Sequence, residues 1–539
     1  MCVSIHQLCY VHADKEPLFQ NLNLTVNKGD RIALVGKNGS GKSTLLRIIE
    51  GSLKPSSGEL SCSSRPYYVP QHFGQYDRMT VAQALHVDMR VQALHRILSG
   101  EVSEENFNLL DDDWNVEERC LAALAFWDLE HIRLSQAMCT LSGGEKTKVF
   151  LSGLQIHSPE IILMDEPTNH LDAKGRKKLY EIVKTGRSTM VIVSHDRTLL
   201  NLLFCICELD RSMISVYGGN YEFYKMQKEL ELNALQDQLE EKGKELRLAR
   251  KIARETMERK NKSSVRGEKA AIKKGVPRIA MGNMKDKAEQ STTKLNDVHA
   301  GKMAALQSSI SEIQSQIPDQ RLLQTDFNSS DLHVGKILIE AKKMKFGYRE
   351  DRLLWQNPLD IQIRSGDRVH ISGDNGSGKT TLVKLFLGEL QPTEGTVARA
   401  DFDWLYIDQE CSLIKGDLTV YEQTEYFNTR HKPEPELKSI LNRYLFPYGT
   451  WNKKCGSLSG GEKIRLLFCC LMIGNNTPDL FILDEPTNNL DIQSVDIITT
   501  AIKSYRGTVL LISHDNYFVK EIKINRSVEL FNSGSVIKI

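Results

Sequence analysis

No stretch of this 539-residue chain reaches the roughly 18 consecutive apolar residues of a membrane span; the nearest, Leu199 to Cys207, is far too short. The chain also lacks an excess of charge. Its 70 Lys and Arg oppose 69 Asp and Glu, a formal net of +1, so any affinity for nucleic acid has to come from local clustering. No CxxC pair occurs among the 11 cysteines. Cys205 and Cys207, and the adjacent Cys469 and Cys470, stand in apolar stretches, which argues for reduced, buried thiols rather than zinc ligands or disulfides. The opening residues, Met1-Cys2-Val3-Ser4-Ile5-His6, have neither the basic nor the apolar region of a signal peptide. These absences place the chain in the cytoplasm as an expectation. The remaining composition, 40% hydrophobic and 26% charged, is that of a soluble globular protein with length for two or three domains.

What is present is a glycine-rich loop, twice. Gly36-Lys37-Asn38-Gly39-Ser40-Gly41-Lys42-Ser43 follows the apolar run Arg31–Val35 and opens an amphipathic run at Thr44. Gly373-Asp374-Asn375-Gly376-Ser377-Gly378-Lys379-Thr380 follows Arg368–Ser372 and continues at Thr381. Strand, glycine loop and helix in this order make a phosphate-binding loop. Glycines let backbone N–H groups converge on an anion, and the helix N-terminus adds partial positive charge. Lys42 and Lys379 can reach the β- and γ-phosphates, and the Ser43 and Thr380 hydroxyls can ligate Mg²⁺. The chain is expected to bind two nucleotides.

Other chemistry repeats with the loops. Asp165-Glu166 and Asp484-Glu485 end apolar strands, where the Asp can hold Mg²⁺ and the Glu can orient or deprotonate an attacking water. Gln71 and Gln409 end short strands and suit Mg²⁺ and γ-phosphate sensing; His195 and His514, each in a Ser-His-Asp triplet 29 residues past its Glu, suit the γ-phosphate. The offsets make this a tandem duplication. Lys42 to Lys379 is 337 residues, Gln71 to Gln409 is 338, Leu141 to Leu458 is 317, and Glu166 to Glu485 and His195 to His514 are each 319. The fall from 338 to 317 gives the first copy 21 extra residues between Gln71 and Leu141.

Phosphate loop, Gln, Leu-Ser-Gly-Gly-Glu (141–145 and 458–462), Asp-Glu-Pro-Thr-Asn and Ser-His-Asp, in this order, resemble the ATP-binding cassette ATPases. Asp-Glu-Pro-Thr-Asn-His-Leu-Asp (165–172), its Asn-for-His twin at 484–491, LSGGE rather than LSGGQ and a helical interdomain linker are similar to the ABC-F group. The resemblance implies an α/β fold of two tandem cassettes (1–221 and 336–539) joined by a long α-helical linker (222–335). It implies ATP and Mg²⁺ as ligands and ATP hydrolysis as the activity, with cassettes pairing within one monomer. Ser459, Gly460 and Gly461 would cap the nucleotide on Lys42, and Ser142, Gly143 and Gly144 that on Lys379. A Gly-Gly turn at a helix N-terminus is itself an anion site, which agrees. The family also places an aromatic against adenine; register points to Tyr348 in the second copy and to His12, with Tyr10 as the alternative, in the first. ABC-F proteins act mainly on ribosomes, their linker entering the tRNA exit site and contacting peptidyl-tRNA. The 21-residue excess is modest for a full arm subdomain in residues 72–140, so ribosome contacts by an arm do not carry over.

The linker carries its own signal. Leu232, Leu235, Leu239, Leu246 and Ala253, then Met303, Leu306, Ile310, Ile313 and Ile317, have heptad-like spacing and suggest an antiparallel coiled-coil hairpin. Beyond the stripes lies a tip at about 254–294, broken by Gly267, Gly275, Pro277 and Gly282. Residues 251–280 hold ten Lys and Arg against three acids, a local +7 that suits RNA phosphate. Lys260, Lys262, Arg266, Lys269, Lys273, Lys274 and Arg278 are the candidate contacts to rRNA or tRNA. Two ribosomal roles stay open, a general translation factor and a drug-displacing protection protein. The rival from another class is the energising subunit of a membrane transporter, in which a charged linker of more than 100 residues has no role.

Overall fold

The chain is described from a computed structural model, covering residues 2–11, 17–210, 213–273, 293, 297–314, 332–333, 335–349, 353–408, 411–474, 478–488, 490–531 and 534–538. It divides into two units: residues 1–222 with 321–539, and residues 223–320.

In the first unit the duplication is visible strand by strand. The first copy has a six-stranded sheet in the order Tyr67–Val69, Ile161–Asp165, Thr189–Val193, Arg31–Val35, Cys205–Leu209, Ile214–Tyr217. The second repeats it as Trp404–Ile407, Leu480–Asp484, Thr508–Ile512, Arg368–Gly373, Arg526–Phe531, Gly534–Lys538. Every pairing is parallel except the last in each sheet. The central strands are continuous apolar runs such as Ile-Ile-Leu-Met and Leu-Phe-Ile-Leu because both faces are covered, and their residues are buried throughout. Each copy adds a three-stranded antiparallel sheet: Pro17–Val26, Val3–Val11, Ser57–Cys62 in the first, and Leu359–Arg364, Ile337–Lys345, Glu394–Arg399 in the second.

Register sets the site. Leu34 and Asp165 both lie opposite Val193, and Ile371 and Asp484 both lie opposite Ile512. The carboxyl ends of three adjacent parallel strands are therefore level, at the crevice where ligands bind in open α/β sheets. The excess of the first copy is helical. Between the short helix Val81–Ala84 and the helix Val116–Phe126 stand two more, Asp88–Leu98 and Glu104–Leu110, whereas Val420–Tyr426 and Glu434–Arg443 follow one another directly.

In the second unit, residues 223–273 continue a helix that begins at Tyr221, and residues 297–314 are also helical. Leu232, Leu235, Leu239, Leu246 and Ala253, like Met303, Leu306, Ile310 and Ile313, are half-buried on faces otherwise largely exposed. Ile317 lies outside the described residues. The expected break at Gly267 does not occur, since the helix runs through to Lys273. One glycine costs a helix only about 1 kcal/mol, and Arg266, Lys269, Ala270 and Ala271 are good helix formers. Gly275, Pro277 and Gly282 lie outside the described residues.

Candidate functional site

Each phosphate loop turns into its helix through a left-handed glycine. Gly41, at φ 96°, precedes Lys42–Glu50, and Gly378, at φ 92°, precedes Lys379–Leu387. A Cβ at Gly41 would come within 2.6 Å of the Phe19 ring, and one at Gly378 within 2.5 Å of Leu354, so glycine is required by both conformation and space. Lys42 Nζ donates to the carbonyls of Gly36 (2.7 Å) and Lys37 (3.1 Å), and Lys379 Nζ to those of Gly373 (2.8 Å) and Asp374 (3.0 Å). Burial holds both ammonium groups below their usual pKa, against the pull of Glu166, Asp491 and Asp165 on Lys42 and of Glu485, Asp484 and Asp172 on Lys379. Gly36, Gly39, Gly373 and Gly376 also take positive φ. Ser40 and Ser377 are buried in the loops, and their Oγ atoms have no partner among the described residues.

Ser43 hydrogen-bonds the Asp165 carboxylate, and Thr380 Oγ1 donates to Asp484 Oδ2 at 3.0 Å. Glu166 and Glu485 follow at φ 50°, a left-handed backbone that a glutamate adopts only where its surroundings impose it. Their amides extend the sheet, donating to Val193 O and Ile512 O at 2.8 Å. One carboxylate oxygen of each accepts the following histidine's backbone N–H, from His195 at 3.2 Å and His514 at 3.3 Å. The other approaches the imidazole Nε2, at 3.3 Å in the first copy and 3.4 Å in the second, without hydrogen-bond alignment, and has no partner among the described residues. Burial pushes the Glu485 carboxyl up to about 7 and the His514 imidazole down to about 3. Glu166 is raised by burial and by Asp165, and His195 is lowered by burial and Lys42. Each glutamate thus faces a neutral histidine.

The Leu-Ser-Gly-Gly-Glu turns begin helices Gly143–His157 and Gly460–Gly474. Their glutamates complete capping boxes. Glu145 accepts the Ser142 N–H at 2.8 Å while Ser142 Oγ accepts the Glu145 N–H at 3.3 Å, and Glu462 and Ser459 do the same at 2.8 and 3.3 Å.

The copies meet across these elements. A cavity of 810 Å³ is lined by Ser142, Gly143, Gly144, Asp172 and Arg176 of the first copy, and by Asn375, Lys379, Thr380, Asp484, Glu485 and His514 of the second. Asn375 Nδ2 donates to His170 O at 3.0 Å, and Lys174 pairs with Asp374 at 2.7 Å. On the other side the Asn38 amide donates to Asp491 Oδ2 at 3.4 Å. The Ser142–Gly144 turn of the first copy thus lines the same cavity as the Lys379 loop of the second. For the Lys42 loop, Asp491 makes a contact across the copies.

Tyr348 lines the same cavity, mostly exposed, its hydroxyl 2.8 Å from Thr381 Oγ1. Thr44 is the third residue of its helix. Gln71 is half-buried two residues past its strand. His12 and Gln409 lie outside the described residues, as do Lys274 and Arg278. Lys260, Lys262 and Arg266 sit on the helix from Tyr221, Lys260 half-buried and the other two exposed; Lys269 and Lys273 lie on the same helix backbone.

Sequence reasoning missed two tyrosines and an arginine. Tyr68 donates to Asp165 Oδ2 at 3.2 Å and Tyr406 to Asp484 Oδ2 at 3.0 Å. Both stand three residues before a glutamine, at the same 338-residue offset, a signal the sequence carries. Arg176 is buried between the copies and has no counterpart from which a repeat could reveal it.

Two phosphate loops, each with its carboxylate pair and histidine, and one of them facing the Ser-Gly-Gly turn of the other repeat, define a tandem pair of nucleotide-hydrolysing cassettes. A profile of the ABC transporter family matches residues 19–169 and 356–488, and the chain belongs to this family of ATP-binding cassette ATPases, within its F group. The chain is 30% identical to a probable ATP-binding protein, YbiT, of Escherichia coli O157:H7, over 94% of this chain and 92% of that one. It is 27% identical to ABC transporter F family member 5 of Arabidopsis thaliana, over 95% and 72%. Its fold is similar to that of the archaeal ribosome recycling factor aABCE1, solved with the ribosomal stalk protein aP1, with a TM-score of 0.57 and 18% identity over 97% of this chain and 87% of that one. Among the described residues no helix is long and apolar enough to cross a membrane.

Proposed function

We propose that this ATPase works on the ribosome, both cassettes hydrolysing ATP and the interdomain segment delivering the effect near the tRNA exit site. The chain would divide into cassettes at 1–221 and 336–539 and a linker at 222–335. Glu166 and Glu485 act as general bases. Each is held by a backbone N–H from its histidine in a left-handed turn, and a carboxyl near 7 accepts a proton efficiently at neutral pH. The water proton moves to that carboxylate as the water oxygen bonds to the γ-phosphorus and the bond from the γ-phosphorus to the β,γ-bridging oxygen breaks, releasing ADP and phosphate. Backbone amides of the loop and the lysine bind the phosphates, and His195 and His514 face the γ-phosphate as neutral donors. Ser142, Gly143 and Gly144 cap the nucleotide on Lys379, and Ser459, Gly460 and Gly461 that on Lys42.

Hydroxyl and carboxylate oxygens suit a hard cation, and buried Asp165 Oδ1 has no partner among the described residues, so Ser43 with Asp165 and Thr380 with Asp484 fit Mg²⁺, and Gln71 and Gln409 are the further ligands the motif offers. Bound there, Mg²⁺ would neutralise phosphate charge.

The observation that carries the ribosomal reading is the local +7 of residues 251–280, of which residues 251–273 lie on a helix of 53 residues. At about 1.5 Å per residue, the stretch from Glu222 to Lys262 is roughly 60 Å long, enough to bring cations among RNA phosphates. Membership of the F group supports the same reading, and contacts to rRNA and peptidyl-tRNA follow from it. Displacement of a ribosome-bound drug is one outcome such a finger would serve. Ribosome co-sedimentation with a non-hydrolysable ATP analogue tests the proposal. Nucleotide-dependent pelleting with ribosomes is expected. Pelleting with membranes instead, or with neither, overturns the ribosomal role and leaves the ATPase in place.

A further inference from the structure

The strand Cys205–Leu209 of the first copy carries two thiols on one face. Side chains alternate along a strand, so Cys205 and Cys207 point the same way, and both pack in the apolar cluster that the first copy's two sheets share. Cys207 is buried, whereas Cys205 is half-buried, and their sulfurs are in hydrogen-bond contact. Both line a cavity of 600 Å³ together with Asp30, Arg31 and Phe204. The Phe204 ring, 5.3 Å from the Arg31 guanidinium, is 70% exposed, so the cavity reaches the surface. A rise of about 3.3 Å per residue puts the two Cα atoms about 6.6 Å apart, inside the roughly 4.4–6.8 Å that a disulfide spans. The second copy has no such pair. Cys205 lies opposite Ile32 and Cys207 opposite Leu34, and in the matching register Arg526 lies opposite Val369 and Val528 opposite Ile371. The thiol-bearing strand also backs the Lys42 loop, since a Cβ on Gly36 would come within 2.5 Å of Leu209 O.

We propose that Cys205 and Cys207 are a thiol pair oxidised by hydroperoxides to a disulfide, which places the first copy's nucleotide site, and not the second's, under redox control. Cys205 is the sulfur that a peroxide can reach. The contact from Cys207 lowers the Cys205 thiol below its ordinary pKa, while the same contact and burial raise that of Cys207, so Cys205 is the nucleophile. Its thiolate sulfur attacks one peroxide oxygen and the O–O bond breaks, leaving a sulfenic acid on Cys205. The departing alkoxide or hydroxide takes up the proton that the thiol gave to water. The Cys207 sulfur then bonds to the Cys205 sulfur and loses its proton, and the S–O bond breaks with release of water. The two sulfurs give up two electrons, which reduce the peroxide. Cys207 needs no access of its own, because its target is its neighbour on the strand. Drawing the sulfurs from hydrogen-bond contact to about 2.05 Å bends the strand on which the start of the Lys42 loop rests. The control rests on that loop binding ATP.

The test is peptide mapping of the full chain after hydrogen peroxide, read beside labelling of each phosphate loop by a photoreactive ATP analogue. Trypsin, cutting after Arg197 and Arg211, releases both cysteines in one peptide. After peroxide that peptide should lose two hydrogens, and dithiothreitol should restore them. Cys207→Ser should stop at a sulfenic acid on Cys205 that dimedone traps, and Cys205→Ser should leave Cys207 unmodified. Labelling of the Lys42 loop should fall severalfold on oxidation of the parent and recover with dithiothreitol, with the Lys379 loop unchanged. In Cys205→Ser peroxide should alter neither loop. Survival of both thiols, a bridge from Cys205 to another cysteine such as Cys62, a bridge without effect on the Lys42 loop, or an equal fall at both loops overturns the proposal. Should the untreated chain fail to label at the Lys42 loop, the nucleotide reading of that loop fails, a separate result, and the mapping still decides the thiol chemistry.

Discussion

Asn375, in the second phosphate loop, donates its side-chain amide to the carbonyl of His170 at 3.0 Å, 205 residues away in the other copy. The loop that would hold one nucleotide is thus fastened to the segment between the other copy's glutamate and its Leu-Asp. The same segment sits against the first signature turn, since a Cβ on Gly144 would lie 2.8 Å from the His170 carbonyl.

Ser142→Arg should therefore impair hydrolysis at the Lys379 site by about tenfold or more, as misplacements of about 1 Å cost up to about 100-fold. Ser459→Arg should do the same at the Lys42 site. Site-resolved trapping of a photoreactive nucleotide distinguishes the sites. An effect confined to the phosphate loop of the substituted copy would contradict the crossed pairing.

Glu166→Gln with Glu485→Gln should reduce turnover by at least about 100-fold while ATP still binds, because proton transfer and water orientation are lost together. Glu485→Gln alone has a second signature. The folded carboxyl near 7 lies above the unfolded 4.5, so it costs stability above pH 7, and that cost fades as pH falls toward 4.5. Glu485→Gln should raise nucleotide-free stability at pH 8 by on the order of 3 kcal/mol and leave it nearly unchanged at pH 5. Urea unfolding at the two pH values reads this; an equal gain at both would show that ionisation is not its source.

Tyr406→Phe removes one of the two hydroxyls that hold Asp484 Oδ2. Loss of such a supporting donor should raise the Mg²⁺ concentration for half-maximal hydrolysis by about tenfold. An unaltered Mg²⁺ dependence would make the tyrosine a packing residue only.

Exchanging residues 264–290 for a short Gly-Ser turn should spare ATP hydrolysis by the free protein, since the nucleotide motifs lie elsewhere. Any effect on translation, or any drug tolerance in cells, should vanish. A shortened chain that still acts on ribosomes like the parent would reduce the segment to a spacer.

The parts of the site legible in sequence were those duplicated at a near-constant offset: loops, carboxylate pairs, signature turns and histidines. Duplication turns a weak pattern into two coincident ones. Tyr68 and Tyr406 were duplicated too, but a tyrosine in an apolar strand reads as core until its hydroxyl is seen on a carboxylate. Arg176 and Arg197 were not legible. Arg197, 2% exposed, is neutralised by Asp496 at 2.7 Å and Glu521 at 3.4 Å, both in the other copy, and only the folded chain brings those partners together. The 21 surplus residues were counted correctly, yet their length could not say that they form helices Asp88–Leu98 and Glu104–Leu110.

Carrying both copies on one chain also removes a constraint that a twofold axis imposes. In a homodimer every substitution appears on both sides of the interface, so neither half can specialise alone. Here Arg176 answers Val495, Arg197 answers Asn516 at the same 319-residue offset, and two helices have no twin. Each is a change that strict symmetry forbids. Covalent linkage thus frees the halves to diverge, so that one can be tuned for turnover and the other for holding its nucleotide without a compromise between them.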